Sequence, residues 1–317
     1  MNRTLLVSAV AAAALFAPLA AQAQTTQQIV VDGSADNAYG AARSVQTSTT
    51  GFGNATTPDG GGGSELDQAF GVIQNGTLYV TLAGNLEENG NFYDLFIDNG
   101  LGGGQNTLNT TNNTGNLDGA NGLTFDTGVS PNFAFAVSIQ NGTFTVAEQT
   151  LGNNNAGTVL GSGTVDSGVG TLSTAASGSN NPFGIQAAFN DTNTAGVGGS
   201  NSGMASGAGV TSGLEFGIPL AALGNPQGAL KLVGLVNGVG QSFLSNQVLG
   251  SIGSGDTNNL AGPASVNFST IAGNQFFTVD AAPVAAPEPG TMVPLLMGAL
   301  ALGSMVIARR RTASVTQ

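Results

Sequence analysis

Sugar stacking and hard-cation binding are the two kinds of chemistry that this chain's residues and their spacing suggest. A glycan site needs a flat apolar face for the pyranose and planar polar groups for its hydroxyls. The only tyrosines are Tyr39, Tyr79 and Tyr93, and there is no Trp. Tyr79 points opposite Leu78 and Val80, on the less apolar face of its strand, which makes it the foremost of three candidate glycan contacts. In the competing reading the three rings cover a sheet edge or a loop base, with their hydroxyls in water.

For a cation, Asp94, Phe96 and Asp98 fall on one face of a strand of period two, so both carboxylates are expected at its exposed side. With Asn99, backbone carbonyls and water they make a candidate Ca²⁺ site, since that ion takes roughly six to eight hard oxygen ligands. The plainer reading is a solvated acidic strand end and no cofactor. Glu215 lies on an apolar strand beside Ile218 and Pro219, either as an outward residue or as a buried, hydrogen-bonded carboxylate.

Composition excludes much else. His and Cys are absent, which removes disulfides, thiolate and imidazole metal sites, and every Ser-His-Asp or Cys-His nucleophile. A paired-carboxylate glycosidase survives that test, yet it also needs a deep cleft with sugar-orienting donors. The chain is therefore expected not to be an enzyme. Six Lys and Arg face 18 Asp and Glu, a formal net charge of −12, so nucleic-acid binding has no electrostatic basis.

The elements that would position these residues are short strands. Gly occupies 50 of 317 positions, and such an excess of turn formers favours many strands joined by loops. Leu78, Val80 and Leu82 share one strand face, and Asn75-Gly76 before them predicts a type I′ hairpin with residues 69–74. Phe133, Phe135, Val137 and Ile139 repeat the pattern, with Asn141-Gly142 turning into Phe144 and Val146. Further strands are expected at residues 29–31, 93–97, 184–189, 214–218, 230–237, 242–249 and 275–279. Pro219 to Leu223 reads as one helical turn capped by Gly224.

Together these predict an all-β fold, an antiparallel, jelly-roll-like β-sandwich over residues 24–281. Two smaller sandwiches divided near residues 150–180 are the alternative. The Gly/Asn runs at 59–63, 102–116 and 192–209 are expected to be surface loops.

Both ends read as addresses. Residues 1–23 have a basic Arg3, an apolar stretch, and small residues Ala21 and Ala23 before a predicted cut, the pattern of a secretory signal helix. Residues 282–286 form a Pro/Ala spacer. Pro287-Glu288-Pro289 then opens residues 287–317, with a charge-free run to Ala308 and Arg309-Arg310-Arg311 after it. Pro289 to Ala308 is 20 residues, enough for one transmembrane helix across about 30 Å of hydrocarbon. The arginines would hold the C-terminus in the cytoplasm as a stop-transfer signal.

This tail resembles the PEP-CTERM sorting signal of Gram-negative bacteria. The resemblance implies that Pro287, Glu288 and Pro289 are recognised by a membrane-embedded exosortase after export by the Sec machinery. It also implies an inner-membrane stage before processing, then a cell-surface or exopolysaccharide-associated location. Within the mature part, Val31-Asp32-Gly33-x-x-Asp36-x-x-Tyr39, Leu78-Tyr79-Val80 and Leu214-Glu215-Phe216-x-Ile218-Pro219-Leu220 are similar to segments of DOMON-like and carbohydrate-binding-module-like sandwiches.

The expectation is thus an exported, non-enzymatic surface or matrix protein of the biofilm type. The alternative is a module that binds a neutral extracellular polysaccharide, with Ca²⁺ assistance. Arg43 and Lys231 are the only bases between the two addresses, so anionic polymers would be repelled unless a cation bridged them.

Overall fold

The computed structural model describes residues 27–53, 63–152, 155–168, 170, 172, 180–197, 206–252 and 258–280. The signal segment with Ala21 and Ala23, the spacer, Pro287 to Pro289 and Arg309 to Arg311 lie outside the described residues. Among the described residues no helix is long and apolar enough to cross a membrane.

Among the described residues twelve strands build two antiparallel sheets. The shorter sheet contains β1 (Ser44–Val45), β2 (Glu65–Gln74), β3 (Thr77–Asn85), β8 (Gln186–Phe189) and β9 (Gly213–Pro219), in the order β1-β2-β3-β9-β8. The longer contains β4 (Phe92–Asp98), β5 (Phe133–Gln140), β6 (Thr143–Thr150), β7 (Gly157–Thr164), β10 (Leu230–Asn237) and β11 (Leu244–Leu249). Its order is β11-β10-β4-β5-β6-β7, and β12 (Phe277–Val279) also pairs with β10. Chain halves interleave, because β3 pairs with β9 and β4 with β10.

Both predicted hairpins form. Asn75 and Gly76 have φ of 51° and 76°, and Asn141 and Gly142 have 51° and 67°, as a two-residue turn of this hand requires. The registers Gln74↔Thr77 and Gln140↔Thr143 follow directly from those turns. Leu78, Val80 and Leu82 then face Leu95, Ile97, Phe135 and Val137 in the core between the sheets. Phe135 and Phe216 meet across it with ring centroids 5.4 Å apart.

Two departures from the sequence reading matter. Residues 29–31 form no strand; that segment lies instead against the outer face of the shorter sheet, where Ile29 and Tyr39 pack with Phe70, Ala83 and Val210. The run at 102–116 is not only a surface loop. Residues 105–130 fold over the outer face of the longer sheet and bury Leu108, Leu117, Leu123, Phe125 and Val129 in a second core with Phe96 and Phe268. Phe125 joins these layers, 5.0 Å from Phe96 and 6.3 Å from Phe268 between centroids. Strand β4 is consequently covered on both faces, and all seven of its residues are buried.

Beyond β11, side-chain amides take the place of a further strand. Gln247 accepts from Leu66 N and donates to Ser48 O, while Asn246 accepts from Gly51 N and donates to Thr49 O. These bonds seal polar backbone that burial would otherwise leave unsatisfied.

Candidate functional site

The acidic face of β4 is the first place to look. Asp94 and Asp98 do share a face, but it is the one covered by residues 105–130, so the expected exposure is absent. Asp94 is 1% exposed. Four residues of extended chain place the two Cα atoms about 13 Å apart, too far for both side chains to reach one ion bonded at roughly 2.3–2.6 Å. Asp98 instead accepts from Gly100 N and Ser130 N, each at 2.9 Å, and Asn99 accepts from Leu101 N while donating to Leu223 O. Both residues hold turns.

Asp94 has neither carboxylate oxygen hydrogen-bonded among the described residues. Burial pushes its pKa up to about 8, and the approaching amides of Asn237 and Gln241 offset part of that effect. It is a neutral acid at moderate pH.

The tyrosines are not gathered into a platform. Tyr39 is buried in the outer layer of the shorter sheet, and Tyr93 is wholly buried between the sheets. Tyr79 is half-buried on the outer face, its ring over Gly217, where an added Cβ would come 3.4 Å from Cε1. Only this third ring retains exposed surface.

Glu215 is buried after all, and it joins two segments that the sequence reading singled out separately. Its Oε2 accepts from Asp32 N, Gly33 N and Ser34 N at 2.8, 2.9 and 3.3 Å, and its Oε1 accepts from Tyr39 Oη at 2.6 Å. Burial raises its pKa to about 7 in spite of these donors.

A second carboxylate group was not anticipated. Strand β2 begins at Glu65, four residues before the run read from sequence, and carries a bulge between Leu66 and Gln68 opposite β3. The bulge lets Leu66 and Ala69 both face the core between the sheets, while Glu65 and Asp67 turn to the other side. Both are fully buried, as is Asn85, the register partner of Glu65.

Asn193, from the chain after β8, reaches this cluster. Its Nδ2 lies 3.4 Å from Glu65 Oε1, 3.2 Å from Asp67 Oδ2, 3.0 Å from Asn85 Oδ1 and 2.5 Å from the Ala195 carbonyl oxygen. Asp67 Oδ1 accepts from Val197 N at 2.8 Å. From the opposite sheet, Tyr93 Oη lies within hydrogen-bond reach of the carbonyl oxygens of Glu65 and Asn85, between which its single hydrogen is shared. Burial raises the pKa of Glu65, and the charges of Asp67 and Asp191 add to it; burial raises that of Asp67 as well. The signal available in sequence was the Glu65-x-Asp67 spacing on a strand; nothing local pointed to Asn193, 126 residues beyond Asp67.

Among the described residues no three His, Cys, Asp or Glu side chains converge to hold a metal ion. A cleft of about 420 Å³ opens at the turn end of the longer sheet, lined by Glu88, Asn89, Phe92, Asn116, Gln140 and Val239 among others. Val239 there is 65% exposed. A smaller cleft of about 250 Å³ lies beside Asp98 and Lys231, whose Nζ donates to Gly128 O.

No protein-family model matches this chain, no curated protein matches it, and no solved structure matches its fold.

Proposed function

We propose that the chain is an exported, non-enzymatic protein of the cell surface or extracellular matrix, sorted through its C-terminal tail. The carrying observation is the order of that tail: Pro287-Glu288-Pro289, a charge-free run to Ala308, then three arginines. On this reading an exosortase processes the tail at the inner membrane and the two-sheet domain is left in the exopolysaccharide layer. Support for a non-catalytic role comes from the carboxylates themselves. Asp98, Asp126, Asp191 and Glu215 each accept backbone N–H bonds, so these groups hold chain segments.

The test compares the chain with a P287A/E288A/P289A variant in a Gram-negative host that carries an exosortase. Fractionation with an antiserum to the domain should find the shortened wild-type chain outside the inner membrane and the variant full-length within it. Identical partitioning of the two would end the sorting proposal.

One observation favours a neutral-glycan reading beside it. The 420 Å³ cleft sets the carboxamides of Asn89, Asn116 and Gln140 near the exposed Val239, and planar amides beside apolar surface suit saccharide hydroxyls and ring faces. Retention on one polysaccharide from an insoluble panel would support it; passage through all of them would leave display as the function.

A further inference from the structure

We propose that Glu65, Asp67, Asn85 and the Ala195 carbonyl form a binding site for a hard divalent cation, Ca²⁺, at the bulged end of β2, where Asn193 Nδ2 now sits. Two independent observations carry this. Four oxygens, from Glu65, Asp67, Asn85 and Ala195, surround one nitrogen, Asn193 Nδ2, within 3.4 Å. A carboxamide NH₂ has only two hydrogens to offer, so four acceptors exceed what it can satisfy. Such convergence of oxygens on one point is the arrangement a cation requires.

Glu65 supplies the second observation. Its side chain is fully buried, and Oε2 has no hydrogen-bond partner among the described residues. Burying a carboxylate oxygen without a donor is unfavourable, and a coordinated cation removes that cost. The bonds of Ca²⁺ to oxygen are about 2.3–2.6 Å, so an ion taking the place of the Asn193 amide nitrogen would draw in the farthest oxygen, that of Glu65 at 3.4 Å, by about 1 Å. Asn193 is half-buried and Ala195 exposed, which leaves an approach from solvent.

The backbone is shaped to the same end. A Cβ at Gly196, where φ is +127°, would stand 1.9 Å from Asp67 Oδ1, and one at Gly84 would stand 2.1 Å from Glu65 O. Glycine at both positions lets main chain close around the two acids. Two carboxylates with carboxamide and carbonyl oxygens suit Ca²⁺, whose shell is irregular and flexible, better than Mg²⁺, which demands a near-ideal octahedron. Thiophilic and imidazole-seeking metals find no ligands here. The inference is independent of how the tail is processed.

Tyr93 provides the readout. It is the tyrosine whose hydroxyl touches the backbone of Glu65 and Asn85, and the chain has no Trp to compete with it. The full-length chain in detergent, stripped with EGTA, would be titrated with Ca²⁺ while Tm is followed, and with Tb³⁺ while emission is excited through tyrosine. A rise in Tm with a Kd on the order of 10⁻⁴–10⁻³ M, as in extracellular Ca²⁺ modules, is expected, with Mg²⁺ at least tenfold weaker. Tb³⁺ emission should grow and be displaced by Ca²⁺. E65Q and D67N should each weaken binding at least tenfold while keeping the far-ultraviolet circular dichroism of the parent. Y93F should lose sensitised emission yet keep the Ca²⁺-dependent Tm, which separates the site's position from its integrity. Absence of both signals at 10 mM Ca²⁺ in roughly physiological salt would overturn the proposal, as would signals unchanged in E65Q and D67N.

Discussion

Tyr39 donates its hydroxyl to Glu215 at 2.6 Å, across 176 residues of sequence, and that bond fastens the N-terminal segment to the shorter sheet. The same carboxylate gathers three successive backbone N–H groups from Asp32, Gly33 and Ser34. One side chain thus holds a stretch that has no strand of its own at residues 29–31.

Removing these acceptors should loosen that segment. E215A leaves several buried donors unpaired, each costing about 1–3 kcal/mol, whereas E215Q keeps an oxygen toward them and should cost less. Y39F removes one bond to the carboxylate and should cost about 1.5–3 kcal/mol. Urea unfolding of the three variants measures the order E215A > E215Q, and equal losses for E215A and E215Q would contradict the multiple-acceptor role.

Stability should depend on pH through acids whose pKa is raised. Asp94 goes from 3.8 to about 8 and Glu215 from 4.5 to about 7. Between the unfolded and folded values the native state holds more protons than the unfolded state, so stability falls as pH rises. In Ca²⁺-free buffer the unfolding midpoint should therefore decline from about pH 3.8, where Asp94 begins to contribute, to about pH 8 and then level off for these two groups. D94N mimics the neutral acid and should show a shallower decline, and an unchanged slope would exclude Asp94 as a contributor.

The layer formed by residues 105–130 should behave as core. F125A removes a fully buried ring that contacts Phe96 and Phe268. A loss of about 3–5 kcal/mol is expected, as for other large-to-small core changes. A loss below about 1 kcal/mol, typical of surface substitutions, would show the layer to be merely laid against the sheet.

The hairpin turns isolate a backbone effect. Among the described residues, no atom beyond the adjoining ones in the chain lies within 4 Å of a Cβ placed at Gly76 or Gly142, yet both residues have positive φ. G76A and G142A should each cost about 1–2 kcal/mol from left-handed backbone alone. Additive losses in the double variant are expected, because the two turns belong to different sheets.

Sequence by itself determined whatever depends on neighbours a few residues apart. Alternation in 78–82 and 133–139, with Asn-Gly turns of known hand, specified two hairpins and their registers, since a slip of one residue would expose every apolar side chain. It also marked Gly224, which ends the turn after Pro219 with φ of 78°. The strand β7 escaped notice because Gly157–Thr164 alternates weakly and lies in a Gly/Asn/Ser/Thr stretch. Period two correctly put Asp94 and Asp98 on one face, but it carries no information about what covers that face.

Only the tertiary structure decided the rest. Whether Tyr39 and Asp94 are exposed depends on segments 27–42 and 105–130 folding back over the sheets, and Tyr93 is buried by the packing of one sheet on the other, which no local pattern encodes. The meeting of Glu65 and Asp67 with Asn193 likewise requires a bulge, a sheet partner at Asn85 and a return of the chain 126 residues later. Local periodicity reports which side of a strand a residue takes; burial and convergence are properties of distant chain brought together by the packing of the whole.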